Sequence, residues 1–255
     1  MPFSAVAATV QDILPWRDLY RQEMNCQIIH DSLHSRPGWT EPYLLQAGET
    51  TVGYGSVCVG GPWTGKPALF EYYVLPAHRA RIFDLFCAWV AATQVMRMEI
   101  QSNDPLITPM LHLFGRDIKS DSILFHDRVT TSHLLPGAVV RRARPNDVEQ
   151  IKARQLDADA DWLATVDGEV AAAGGILYHY NRPYGDIYMH VAESFRRRGV
   201  GAFLVQELKR HCYERGSIPS ARCNPSNVAS RRTLQRAGFV PCGHILLAEI
   251  DPDRL

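Results

Sequence analysis

Residues 189–208 read MHVAESFRRRGVGAFLVQEL, and they join two periodicities. From Asp186 to Val191 polar and apolar residues alternate, the period-two pattern of a half-buried strand. After the join, Val200, Leu204, Leu208 and Cys212 recur at helical spacing, and Gly216 stands where such a helix would end. Between the two lie Arg196, Arg197, Arg198, Gly199 and Gly201. At a helix start several backbone N–H groups lack internal partners, and the aligned peptide dipoles place about half a positive charge there. Glycine at 199 and 201 removes side chains that would hold a bulky anion off those amides, and the arginines surround them with charge. The main chain of residues 196–202, Val200 and Ala202 included, is therefore predicted to bind a diphosphate.

Two familiar phosphate motifs are excluded. A dinucleotide-binding fingerprint needs a third glycine where Leu204 stands, and a P-loop needs Gly-Lys followed by Ser or Thr, which is absent.

Composition narrows the partners. Lys plus Arg and Asp plus Glu each number 27 in 255 residues, so no global charge points to nucleic acid or an anionic membrane. No stretch reaches the roughly 20 apolar residues that span a bilayer, and the start lacks a basic segment ahead of an apolar core, which predicts a cytoplasmic protein. Six scattered cysteines without a CxxC pair read as free thiols. His30 and His34 lie a helical turn apart, but Asp31 replaces the glutamate of a zinc protease helix and no third ligand is apparent, so no metal is expected.

The order of elements repeats. Residues 10–33 are mostly helical in pattern, with Pro15 a break or a first-turn residue. PYLLQAGETTVGYGSVCVGG reads as a hairpin turning at Gly48, followed by strand ALFEYYVL, helix RIFDLFCAWVAATQV, strand RMEIQS, a short helix and strand SILFHD. The second half runs strand, short helix, a hairpin turning at Asp167-Gly168, strand YGDIYMHVA, the helix from Val200, strand SARCN, helix NVASRRTLQRAG and strand FVPCGHILLAEI. One module used twice is expected, as domains 1–134 and 138–255 joined near TTSHLLPG.

Here a resemblance enters. MHVAESFRRRGVGAFLVQEL resembles the acyl-CoA motif of the GNAT superfamily of N-acyltransferases, an R/Q-x-x-G-x-G/A turn after the fourth strand, with Arg196, Gly199 and Gly201 at the matching positions. NVASRRTLQRAGF resembles the second motif, with Asn227, Ser230, Gly238 and Phe239 in place. The resemblance implies an α+β fold of tandem GNAT-like domains, each a mostly antiparallel mixed sheet flanked by helices, with splayed central strands in the second. It implies acetyl-CoA as co-substrate, its pyrophosphate on residues 196–202 and its pantetheine arm beside Met189, His190 and Val191, with Asn227 and Ser230 close by. Aligning Val74 with Val191 sets Arg79 opposite Arg196 but puts Ile82 and Asp84 where the glycines should be, so the first domain is expected to be degenerate.

For catalysis, Asp186, Tyr188 and His190 share one strand face, and Asp186 or His190 is the candidate base. A backbone N–H near His190 or Val191 is the candidate oxyanion donor. Relatives often carry a tyrosine where this chain has Leu234, so either the thiolate leaves without help or another hydroxyl such as that of Tyr178, Tyr180, Tyr184 or Tyr188 reaches it. The expected acceptor is a primary amine of a small molecule or peptide, the expected state a monomer or homodimer. The alternative is a non-catalytic acyl-CoA-binding sensor or interaction protein.

Overall fold

The computed structural model describes residues 2–24, 26 and 30–255. Its elements in chain order are β1 (Phe3–Ala7), α1 (Val10–Met24), α2 (His30–His34), β2 (Thr40–Ala47), β3 (Thr50–Cys58), β4 (Ala68–Val74), α3 (Ile82–Thr93), β5 (Arg97–Gln101), α4 (Thr108–Phe114) and β6 (Gly115–Asp127). The second run comprises β7 (Ala138–Arg142), α5 (Val148–Ala153), β8 (Trp162–Val166), β9 (Glu169–Asn181), β10 (Tyr184–Val191), α6 (Val200–Glu214), β11 (Ile218–Cys223), α7 (Val228–Arg236) and β12 (Phe239–Ile250). Two compact units result: Met1–Ser122 with Gly243–Leu255, and Ile123–Cys242. The division is thus not the single boundary near 134–138 that the repeat suggested. Strands β6 and β12 are long, and the end of each belongs to the unit the rest of the strand does not.

In the first unit β1 to β5 lie side by side, and Ile245–Glu249 of β12 pair antiparallel with β5. Strand β1 was not foreseen; its five residues pair with β2 and carry only a weak alternation. The turn at Gly48 is as expected, with φ 62°. Helix α1 runs through Pro15 without breaking: Thr9 and Asp12 cap its start reciprocally, at 2.8 and 3.3 Å, and Ile13, Arg17 and Tyr20 bury one face. The rest of the helical stretch expected over residues 10–33 resumes as α2, while residues 25 and 27–29 lie outside the described residues.

Every residue of β4 is buried, including Glu71, which is 1% exposed. Arg17 Nε lies 3.1 Å from Glu71 Oε2, His30 Nδ1 2.7 Å from Oε1 and His34 Nε2 2.8 Å from Oε2. Burial opposes ionisation, yet Arg17 and the two histidines hold the Glu71 carboxyl well below the usual carboxylate range. The histidine pair noted in the sequence therefore clasps a carboxylate, and among the described residues no group of three or more His, Cys, Asp or Glu is arranged to hold a metal ion.

Asp104 is the opposite case. It is 2% exposed, accepts Tyr20 Oη–H at 2.6 Å and the Leu106 amide at 2.8 Å, and burial still raises its pKa to about 6. A carboxyl whose folded pKa is raised contributes stability below its unfolded pKa, and this is lost as pH rises through about 6. The Asp104→Asn variant should therefore gain in melting temperature relative to the parent as pH goes from about 5 to 7. Parallel melting profiles for the two proteins would refute this.

The second unit orders its strands β6, β11, β10, β9, β8, β7, with Ile123–His126 of β6 pairing with β11. Strands β8 and β9 turn at Asp167-Gly168, with φ 52° and 84°, the left-handed pair that a two-residue hairpin requires. Helix α6 packs Val200, Leu204, Val205, Leu208 and Cys212 into the core under the sheet, and Gly216 follows its end at φ 75°. Lys209, 4% exposed, meets Asp127 at 2.7 Å and donates to the carbonyls of Val129 and Ala237. This buried ammonium fastens the chain after β6 to the second unit. Among the described residues no helix is long and apolar enough to cross a membrane.

Candidate active site

Strand β10 is zipped to β9 along its length, from Tyr184 to Val191. Its parallel pairing with β11 stops at Ile187 and Ala221, although the two strands continue to Val191 and Cys223. Beyond Ile187 the strands splay. The Ala192 N–H donates to Ala171 on β9, and the Tyr188 carbonyl lies against Gly174. Main-chain groups alternate along a strand, so Met189 and Val191 turn theirs toward the splay and His190 turns its own toward β9. Two of the three residues expected to offer backbone to a ligand thus face the gap; His190 does not.

At the end of β10 the chain makes a short 3-10 turn, Glu193–Phe195, and then Arg197 at φ 62° and Gly199 at φ 85° bring it into α6. A non-glycine residue in the left-handed region is strained, and such strain gathers at ligand sites. Among the described residues no acceptor sits in hydrogen-bonding geometry with the main-chain N–H groups of 197–202, and no side chain caps the helix. The loop is therefore a concave array of free donors at a positive helix end. Gly201 lets α6 approach its neighbours: a Cβ there would stand 3.0 Å from Thr233 Cγ2 and 3.2 Å from Val191 Cγ2. Arg198 lies over the Phe195 ring at 4.9 Å, and Arg154 lies at 5.1 Å from the same ring. Arg196 Nε donates to the Val191 carbonyl at 3.3 Å.

On the opposite face of β10 the three candidate catalytic side chains have different surroundings. Asp186 is 7% exposed, and its Oδ2 is held by Arg222 Nε and Nη2 at 3.0 and 2.9 Å. Burial raises its pKa against the pull of Arg222. Arg222, stacked on Tyr180 at 4.6 Å, was not foreseen; it comes from a parallel neighbour 36 residues away, and only register reveals it. Tyr188 lies across Gly175, whose Cβ would meet the phenol oxygen at 2.8 Å. Burial, then Asp157, Asp161 and Asp159, push the Tyr188 phenol up to about 12. These aspartates precede β8 in a segment the sequence reading passed over. His190 is exposed.

Asn227 caps α7, its Oδ1 accepting the Ser230 amide at 3.0 Å, and Ser230 also hydrogen-bonds Cys223 at the open end of β11. Both expected contacts therefore belong to the helix flanking the splay. Leu234 is 2% exposed.

The first unit carries the same joint in altered form. Arg79 Nε donates to the Val74 carbonyl at 2.9 Å, matching Arg196 on Val191, and β4 pairs with β5 only at Leu69 and Met98. Here, however, the Arg79 guanidinium forks onto Glu23, which also accepts Tyr73 Oη–H at 3.0 Å, and Arg81 binds Asp84 at 2.8 Å. The positive charge is neutralised by the chain itself.

Residues 131–239 match the model of the Acetyltransferase (GNAT) family. They form a GNAT-family domain. The fold of the whole chain agrees: a GNAT-family acetyltransferase from Colwellia psychrerythraea superposes with TM-score 0.72 at 16% identity, over 98% of this chain and 100% of the other. A tandem GNAT protein from the clavulanic acid biosynthesis pathway gives 0.63 at 12% identity over 98% and 99%. A GCN5-related N-acetyltransferase from Sphaerobacter thermophilus gives 0.59 at 16% over 98% and 96%. No curated protein matches the chain.

Proposed function

We propose that the second unit transfers an acetyl group from acetyl-CoA to a primary amine of a small molecule or peptide. The observation that carries this reading is the pairing of free amides at 197–202 with the splay that opens beside Met189 and Val191. A diphosphate on the amides directs the rest of the co-substrate along β10, where Met189 and Val191 supply main-chain partners as a neighbouring strand would. The Val191 N–H is then the donor placed for the oxyanion.

The proton roles follow from the environments. Asp186 is fixed in an ion pair where the sheet is still closed, so it orients Arg222 and Tyr180 and does not take the amine proton. Tyr188, with its phenol pushed up to about 12, keeps its proton at neutral pH and acts as a donor toward the departing thiolate. His190, exposed on the same face, is the base, directly or through water. The first unit, with Arg79 and Arg81 neutralised, binds no coenzyme A and serves as scaffold.

Acetyl-CoA at about 100 times its dissociation constant should stabilise the second unit by about 2.7 kcal/mol. Absence of a melting shift with acetyl-CoA and with longer acyl-CoAs would refute the reading. Buried, apolar Leu234 favours a second one, a binder of acyl-CoA that does not turn it over. Thiol release across a panel of amines separates the two: release that depends on His190 supports the enzyme, tight binding without release the sensor.

A further inference from the structure

A cavity lies within the second unit at the far end of α6 from Gly199. Its volume is about 510 Å³, between the last turn of α6 and strands β7, β8 and β9. That is the size of a small-molecule site. Ile176 contributes apolar surface, and two aromatic rings, Trp162 and Tyr178, stand beside it.

Each ring carries a guanidinium. Arg142 lies 4.3 Å from the Trp162 centroid, and Arg215 lies 4.3 Å from that of Tyr178. His211 stacks on Trp162 at 4.0 Å and 20°, and since two groups cannot share one side at that distance, Arg142 and His211 cover opposite faces of the indole. Trp162 is thereby a fixed support for the Arg142 fork and not a stacking surface for a ligand. A guanidinium held flat on a ring keeps its edge donors in place, which lowers the entropy lost on binding an oxyanion.

The protein matches these donors only in part, through an ion pair of Arg142 with Asp161. Among the described residues no acceptor is hydrogen-bonded to either guanidinium; Asp161 stands 3.6 Å from Arg142, beyond hydrogen-bond reach. Glu214 is committed elsewhere, to Arg210 and to His211 Nδ1 at 2.9 Å. The Tyr178 hydroxyl also lacks a partner among the described residues. Burial, Cys212 and Asp161 raise its pKa while Arg215 and Arg142 pull it down, so both cations lie near this phenol. Arg142, Arg215 and Tyr178 then line one space together with the ion-paired Asp161 and Glu214, a set whose guanidinium forks suit a group with several negative oxygens.

We propose that this cavity is a second ligand site, separate from the 197–202 loop, for a small organic molecule bearing an oxyanion, its charged group on Arg142, Arg215 and the Tyr178 hydroxyl and its body over Ile176. The test is calorimetric titration with phenyl phosphate and with phenylacetate, which tells a phosphate from a carboxylate. It is run on the parent, on the Arg142→Gln, Arg215→Gln double variant and on Gly201→Asp. Both arginines are exposed, so melting temperature and circular dichroism should show the double variant folded. Binding by either probe that survives Gly201→Asp and weakens roughly tenfold or more in the double variant supports the site. Binding that vanishes in Gly201→Asp, binding unaffected in the double variant, or no binding by either probe overturns it. Because neither probe is a coenzyme A ester, the outcome is independent of the proposed activity.

Discussion

The Glu71→Gln variant is expected to lose up to about 3 kcal/mol of stability in the first unit. The substitution keeps the shape of the side chain and removes its charge, leaving Arg17, 3% exposed, with Asp31 at 2.9 Å as its remaining counter-ion and the two histidines facing a neutral amide. Removing one partner of a buried pair costs far more than the pair contributes, because the remaining charge cannot return to water. The sign with pH follows. Glu71 has a depressed folded pKa, so its stabilisation is present above the ordinary glutamate range and is lost as pH falls. Burial lowers the His30 pKa too, so its neutral form favours the fold above the ordinary histidine range and opposes it below. Parent and variant should therefore converge in melting temperature only as pH falls below the ordinary glutamate range. Asp84→Ala serves as the contrast: its pair with Arg81 is half exposed and should change stability by about 0–1 kcal/mol. A Glu71→Gln effect no larger than that of Asp84→Ala, measured by calorimetry at neutral pH, would show that the cluster is not held by charge.

The second large effect is on ligand binding. Gly201→Asp should abolish the melting shift produced by acetyl-CoA, since it sets a carboxylate among amides at the start of α6 and a Cβ against Thr233 and Val191. The milder Gly201→Ala separates the two causes. Thr233 Cγ2 at 3.0 Å must move by a few tenths of an ångström, so some of the shift should survive with alanine while none does with aspartate. If aspartate leaves the acetyl-CoA shift intact in a protein that still melts cooperatively, the 197–202 loop is not the diphosphate site. If the unliganded variant fails to fold, Gly201→Ala with titrated acetyl-CoA still reads the site, and unchanged affinity there would count against close approach of the ligand.

Much of this arrangement is legible in the sequence because it rests on local chemistry. Alternation in 186–191, helical spacing from Val200 and the glycines at 199 and 201 each act over a few residues, and they place the loop and the strand beneath it. The alignment of Val74 with Val191 also holds in detail, since Arg79 and Arg196 each reach back to the carbonyl of the aligned valine. What escapes a linear reading depends on register. Arg222 meets Asp186 because β10 and β11 are parallel at that point, and Tyr188 lies on Gly175 because β9 returns antiparallel. Likewise Asn227 looks like a ligand contact in a motif and proves to be occupied in part as a helix cap. The ends of β6 and β12 carry no local mark of which sheet they enter.

That last feature governs how the chain can be cut and how it is made. A fragment starting at residue 138 lacks Ile123–His126, the strand that borders β11, and so exposes a raw edge next to the splay. A fragment ending at 134 lacks the partner of β5, which arrives only with residues 245–249. On the ribosome the first unit must therefore wait, its sheet one strand short, until almost all of the described chain has emerged. Each unit takes a strand end from the other half of the sequence, so neither half of the sequence carries a whole unit.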